Sequence, residues 1–205
     1  MMDKKRYASL EEFRNFIEIG GYIIVKNFYK RCGVLDVSLN EIIPIEFDEV
    51  VIVKNCIRVY NNGLQGLFSM DGTTILPVEF DDIDVFSRFI EVRKGGLRGA
   101  FALDGTPILP VEFHDLEYRY EYIAANKDRK WGLFSLNGTL ILPVEFTGIF
   151  IHDDFIRVRK CFEWGIFAKD GKPILPCEYE NIEVNCGMIR LTKVCTLEEI
   201  LKNTK

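Results

Sequence analysis

Few residues in this chain are of the types that carry acid–base or nucleophilic chemistry, and their spacing is loose. His152 is followed by Asp153 and Asp154, with Cys161 further along. An imidazole beside carboxylates could act as an oriented general base and a thiol as its nucleophile, which is hydrolase chemistry. Sequence proximity alone orients nothing, and loop His–Asp pairs are usually solvated, so a hydrolase built on His152 is the second alternative. No G-x-S-x-G, H-E-x-x-H or P-loop pattern occurs. Residues 95–99, GGLRG, form a turn and not a nucleotide loop, because no helix pattern follows them. The expectation is no catalytic residue and no cofactor.

Two further sets could bind. Glu46, Glu79, Glu112, Glu145 and Glu178 recur at a constant step and could form an acidic ladder for cations. Acids with one role in every repeat are better read as accepting hydrogen bonds from backbone amides of their own turn or of the next repeat. Six cysteines, Cys32, Cys56, Cys161, Cys177, Cys186 and Cys195, include no C-x-x-C pair, and there are only two histidines. They read as reduced thiols filling apolar space, and no metal site is expected.

The elements that must position these residues are repeats. The proline of an "ILP" phrase falls at Pro44, Pro77, Pro110, Pro143 and Pro176, a constant step of 33 residues. Gly33, Gly66, Gly99, Gly132 and Gly165 keep the same step. Five repeats span about 24–56, 57–89, 90–122, 123–155 and 156–188 of a region from 21 to 194, with a final strand over 189–194. Each reads as three strands, for example 155–160, 131–135 and 140–143. Asp-Gly or Asn-Gly pairs at 71–72, 104–105, 137–138 and 170–171 build the hairpin between the second strand and the third, and the proline stops the third. These hairpins are apolar on both faces, so neighbours must cover both. Ser69, Ala102, Ser135 and Ala168 form a small column where repeats could approach closely.

The fold expected is all-β: tandem 33-residue three-stranded β-meanders in an open superhelical stack, with a five-bladed propeller as alternative. Capping boxes at Ser9/Glu12 and Thr196/Glu199 predict short α-helices at both termini, an N-terminal helical cap over 1–20 and a C-terminal helix over 195–205.

With these residues in view, the chain resembles the WG-repeat, or KWG-repeat, family. The pattern is fullest at 130–146, KWGLFSLNGTLILPVEF, and at 163–182, EWGIFAKDGKPILPCEYENI. Trp131 and Trp164 keep the family's tryptophan, whereas Cys32, Gln65 and Arg98 replace it elsewhere. The resemblance covers about residues 21–194. It implies a largely bacterial repeat family and no catalytic residue.

Repeat scaffolds bind through positions that vary between repeats. The connector over 114–122 varies most, carrying Tyr118, Arg119 and Tyr120 beside the structural Tyr122. With Phe86, Arg88, His152 and Asp154 it is the candidate partner-binding site, since Tyr and Arg dominate interface hot spots. A column of Arg58, Arg157, Arg159 and Arg190 is interrupted by Glu91 and Ala124 and reads as a solvated face.

The formal net charge of −5 disfavours nucleic acid and anionic membranes as partners. No signal-peptide pattern or spanning apolar run is visible, which predicts a cytoplasmic protein. The function expected is a non-catalytic scaffold for protein–protein interaction, with a small-ligand or glycan-binding module as first alternative. The sequence names neither the partner nor the oligomeric state.

Overall fold

A computed structural model describes residues 6–185 and 188–193. They form five antiparallel sheets, and the only helical turn among them is a 3-10 turn at Leu10–Glu12. Sheet one holds β1 (Asn15–Ile19), β2 (Tyr22–Lys26), β3 (Cys32–Asp36) and β4 (Glu41–Phe47). Sheet two holds β5 (Glu49–Val53), β6 (Cys56–Asn61), β7 (Leu64–Ser69) and β8 (Thr74–Phe80). Sheet three holds β9 (Asp82–Val85), β10 (Ile90–Lys94), β11 (Leu97–Phe101) and β12 (Pro107–Phe113). Sheet four holds β13 (Asp115–Arg119), β14 (Tyr122–Lys127), β15 (Lys130–Ser135) and β16 (Leu140–Phe146). Sheet five holds β17 (Gly148–Ile151), β18 (Ile156–Lys160), β19 (Glu163–Phe167), β20 (Pro173–Asn185) and β21 (Met188–Lys193). The chain divides into two compact units, Met1–Val111 and Glu112–Lys205.

The sheets have four strands where three were expected. The connector behind each "VEF" phrase is itself the first strand of the next sheet. A single residue, such as Asp81 between Phe80 and Asp82, carries the chain across. The proline does not stop its strand either. Leu76 pairs with Leu67 and Phe80 with Gln65, so Pro77, Val78 and Glu79 bulge opposite Gly66 alone. A Cβ on Gly66 would lie 2.6 Å from Val78 Cγ2 and 3.0 Å from Val78 Cα, which is why glycine recurs there.

Within each unit, consecutive sheets share cores. In the first unit Val34, Ile43 and Phe47 of sheet one pack with Val50, Ile57 and Val59 of sheet two. Leu67, Leu76 and Phe80 pack likewise with Ile83, Ile90 and Val92. In the second unit Leu133, Leu142 and Phe146 pack with Ile156 and Val158. The phenylalanine closing each sheet meets an aromatic of the next: Phe47–Phe68 at 6.1 Å, Phe80–Phe101 at 6.0 Å and Phe146–Phe167 at 5.7 Å. The sheets come close at the turn glycines. A Cβ on Gly72, Gly105 or Gly171 would collide with the carbonyl of Ile42, Ile75 or Ile141 in the preceding sheet. In the small column the Ser69 and Ser135 hydroxyls bond the Asp71 and Asn137 side chains of their own turns.

Among the described residues, four of the five repeated glutamates pair with lysines and not with backbone amides: Glu79–Lys94 at 3.1 Å, Glu112–Lys127 at 3.1 Å, Glu145–Lys160 at 2.9 Å and Glu178–Lys193 at 3.4 Å. These pairs are about half exposed and contribute little each.

The N-terminal segment is not an α-helix. Glu12 accepts from Ala8 N–H at 2.8 Å and Ser9 N–H at 3.2 Å, but the turn ends at once. Gly20 and Gly21, at φ of +57° and +84°, form a tight hairpin turn that pairs Asn15–Ile19 with Tyr22–Lys26. Ladder hydrogen bonds replace helical ones. The expected C-terminal helix over 195–205 lies outside the described residues, as do Cys186 and Cys195.

Candidate functional site

The candidate site lies within the second compact unit, on the face of sheet four that looks toward sheet five. In the β13–β14 register Glu117 stands opposite Ala124 and Arg119 opposite Tyr122. In the β14–β15 register Ala124 stands opposite Leu133, and Trp131, two residues from Leu133, shares that face. Glu117, Ala124 and Trp131 therefore share one face across three strands. They line an open groove of about 510 Å³ with Arg119 and Tyr120, and residues 148–152 of sheet five form its opposite wall.

Tyr120 occupies the β13–β14 turn at φ +55° and is 84% exposed. A bulky side chain there works against the backbone, since this region favours glycine or asparagine. The Arg119 guanidinium donates to one Glu117 oxygen through Nε at 3.2 Å and Nη2 at 2.9 Å. Both partners are well exposed, so solvent and salt weaken the pair. His152 stacks on Phe155 at 4.5 Å and 21°, and Phe150 stands 44% exposed.

Sheet five fills the same places with other residues. Phe150 is opposite Arg157, and Trp164 takes the tryptophan place. The Arg157 guanidinium carbon lies 4.5 Å from the Trp164 centroid and 5.5 Å from that of Phe150. Its Nη1 donates to the Ile182 carbonyl at 3.2 Å, and its Nε is buried without a partner among the described residues. The expected solvated arginine face is thus, at Arg157, an aromatic-stacked one. In sheet three Arg98 takes the tryptophan place and pairs with Glu91 at 2.5 Å. In sheet two Gln65 does, and its amide donates to the Asp81 carbonyl at 3.2 Å and to Asp82 Oδ1 at 3.1 Å. In sheets two and three a polar side chain thus stands in the tryptophan place, whereas in sheet one the buried Cys32 does.

Of the residues expected to bind a partner, Arg119, Tyr120 and His152 meet at this groove. Tyr118 does not: strand alternation puts it with Leu116 on the opposite face, half-buried. Asp154 is exposed in the turn after β17. Phe86 and Arg88 belong to the first compact unit, where Phe86 stacks on Phe89 at 4.7 Å and Arg88 is exposed. Glu117, Ala124 and Phe150 had not been singled out as site residues. Their signal was the 33-residue column itself, in which Ala124 is the short member among Arg58, Glu91 and Arg157.

No group of three or more His, Cys, Asp or Glu that could hold a metal occurs among the described residues. Burial pushes the Cys32, Cys56 and Cys177 thiols above the ordinary range, which lowers their reactivity. No helix among the described residues is long and apolar enough to cross a membrane.

Residues 131–160 and 164–193 match the family model described as WG containing repeat. No curated protein matches the chain significantly. Among solved structures the chain is similar to Hsv2 of Kluyveromyces lactis at 13% identity and a TM-score of 0.31, covering 76% of this chain and 59% of Hsv2. It is similar to BamB from Moraxella catarrhalis at 11% identity and a TM-score of 0.32, covering 87% of this chain and 68% of that one. It is also similar to the computationally designed protein Ika8 at 8% identity and a TM-score of 0.31, covering 87% and 70%. Superpositions this low define no shared architecture or activity.

Proposed function

Because this chain is a WG-repeat protein, we propose that it is a non-catalytic cytoplasmic interaction module, binding a protein partner through the groove between sheets four and five. The observation that carries this reading is Tyr120, a large side chain held at positive φ and 84% exposed on the groove rim. Backbone strain kept on an exposed aromatic points to selection for what its side chain touches. The net charge of −5 argues against phosphate-bearing partners. His152 is stacked on the Phe155 ring at the groove.

The test uses the whole chain as bait. Replacing Arg119 by Ala and Tyr120 by Gly should leave the fold intact and abolish recovery of the partner that the unaltered chain retains. Unchanged recovery refutes the site. A small-ligand module is favoured instead if a metabolite raises Tm in the unaltered chain and not in the double variant, with no partner recovered.

A further inference from the structure

The groove has a filled counterpart elsewhere in the chain. At the place of Ala124, sheet five puts Arg157, whose guanidinium rests on Trp164 and reaches the Ile182 carbonyl. Sheet two puts Arg58 there, also with a buried Nε. Sheet four keeps the tryptophan as Trp131 but cuts the arginine back to the methyl of Ala124, and it replaces the phenyl of Phe150 by the carboxylate of Glu117. Thirty-three residues before Ile182 stands Ile149, on the groove wall. The open volume is therefore the berth of an arginine that this sheet lacks.

We propose that the groove receives an arginine side chain from an extended segment of the partner protein, with its guanidinium stacked on Trp131 as Arg157 stacks on Trp164. This names the occupant of the interaction site and rests on that reading. Trp131 supplies the aromatic face, and Glu117 supplies a carboxylate where sheet five has the phenyl ring of Phe150. A planar, weakly hydrated guanidinium suits this berth better than an ammonium. Arg119 holds Glu117 in the free chain, but with the two side chains 62% and 43% exposed that pair yields readily to an incoming cation. The net charge of −5 favours the approach of a basic segment.

The chain has two tryptophans, so its 15N indole spectrum has two signals, one for each slot. Titrating the full chain with a Gly-Arg-Gly peptide should shift the Trp131 signal saturably and leave Trp164, already covered, in place. The citrulline peptide, of the same shape without the charge, should bind about tenfold more weakly or not at all. Glu117→Gln, which removes the carboxylate, should weaken arginine binding. Ala124→Arg should fill the berth from within and abolish it. The peptide controls and Glu117→Gln keep the test decisive if Ala124→Arg does not fold. No Trp131 shift, equal shifts of both tryptophans, equal binding of citrulline, or a shift driven by protein concentration alone would overturn the proposal; the last would name a second copy as occupant. If arginine fails while the Arg119/Tyr120 double variant still loses the partner, the interaction site stands and only its occupant was misassigned.

Discussion

Ile156 and Arg157 are adjacent in β18 and point to opposite faces, and sheet four carries Ile123 and Ala124 in the same two places. The isoleucine is retained and fully buried in both sheets. The other residue changes from arginine to alanine, and with it the face changes from an aromatic-stacked slot to an open groove. The isoleucine place is thus fixed by the neighbouring sheet's core, whereas the place beside it, at the margin of the facing core, is free to differ. The fixed places make the sheets stackable. The free one is where one repeat can acquire a partner without disturbing the others.

Changes in the shared cores should be the costly ones. Leu133→Ala should cost about 3–5 kcal/mol in chemical denaturation, because Leu133 is fully buried between two sheets. A cost near that of a surface change would break the comparison. Gly171→Ala should cost about 2–4 kcal/mol, since it meets both a φ of +86° and the Ile141 carbonyl. Gly132→Ala should cost about 1–3 kcal/mol, its Cβ lying 2.6 Å from Val144 Cγ2 and 3.0 Å from Val144 Cα. Adding Val144→Ala should recover only part of that, because the backbone clash persists; full recovery would make the bulge glycine a side-chain matter. At the groove rim Tyr120→Gly should raise stability by about 1 kcal/mol while weakening partner capture. A loss of stability there would mean that Tyr120 serves the fold.

The repeat was legible because its hairpin is written in residues with one conformational meaning: Asp-Gly at the turn and glycine opposite the bulge. The fourth strand was not. The chain passes between sheets through one residue, Asp48, Asp81, His114 or Thr147, and none of these is a glycine or proline, so a strand read as a connector. That misreading made Tyr118, Arg119 and Tyr120 look like one patch, whereas strand alternation sends Tyr118 to the far side. The glutamate partners were present in the sequence as Lys94, Lys127, Lys160 and Lys193 at the same step, but only folding shows that residues 15 positions apart face each other. The groove was the hardest to foresee, because its signal is a missing side chain at Ala124.

Whether two sheets share one core is tested most directly by native-state amide exchange on Ile156→Ala and Arg157→Ala, neighbours on opposite faces of β18. Ile156→Ala should speed exchange roughly 100-fold in β15 and β16 of sheet four as well as in β18 and β19, while Arg157→Ala should leave β15 and β16 unchanged. Faster exchange confined to sheet five in the Ile156 variant would contradict a shared core.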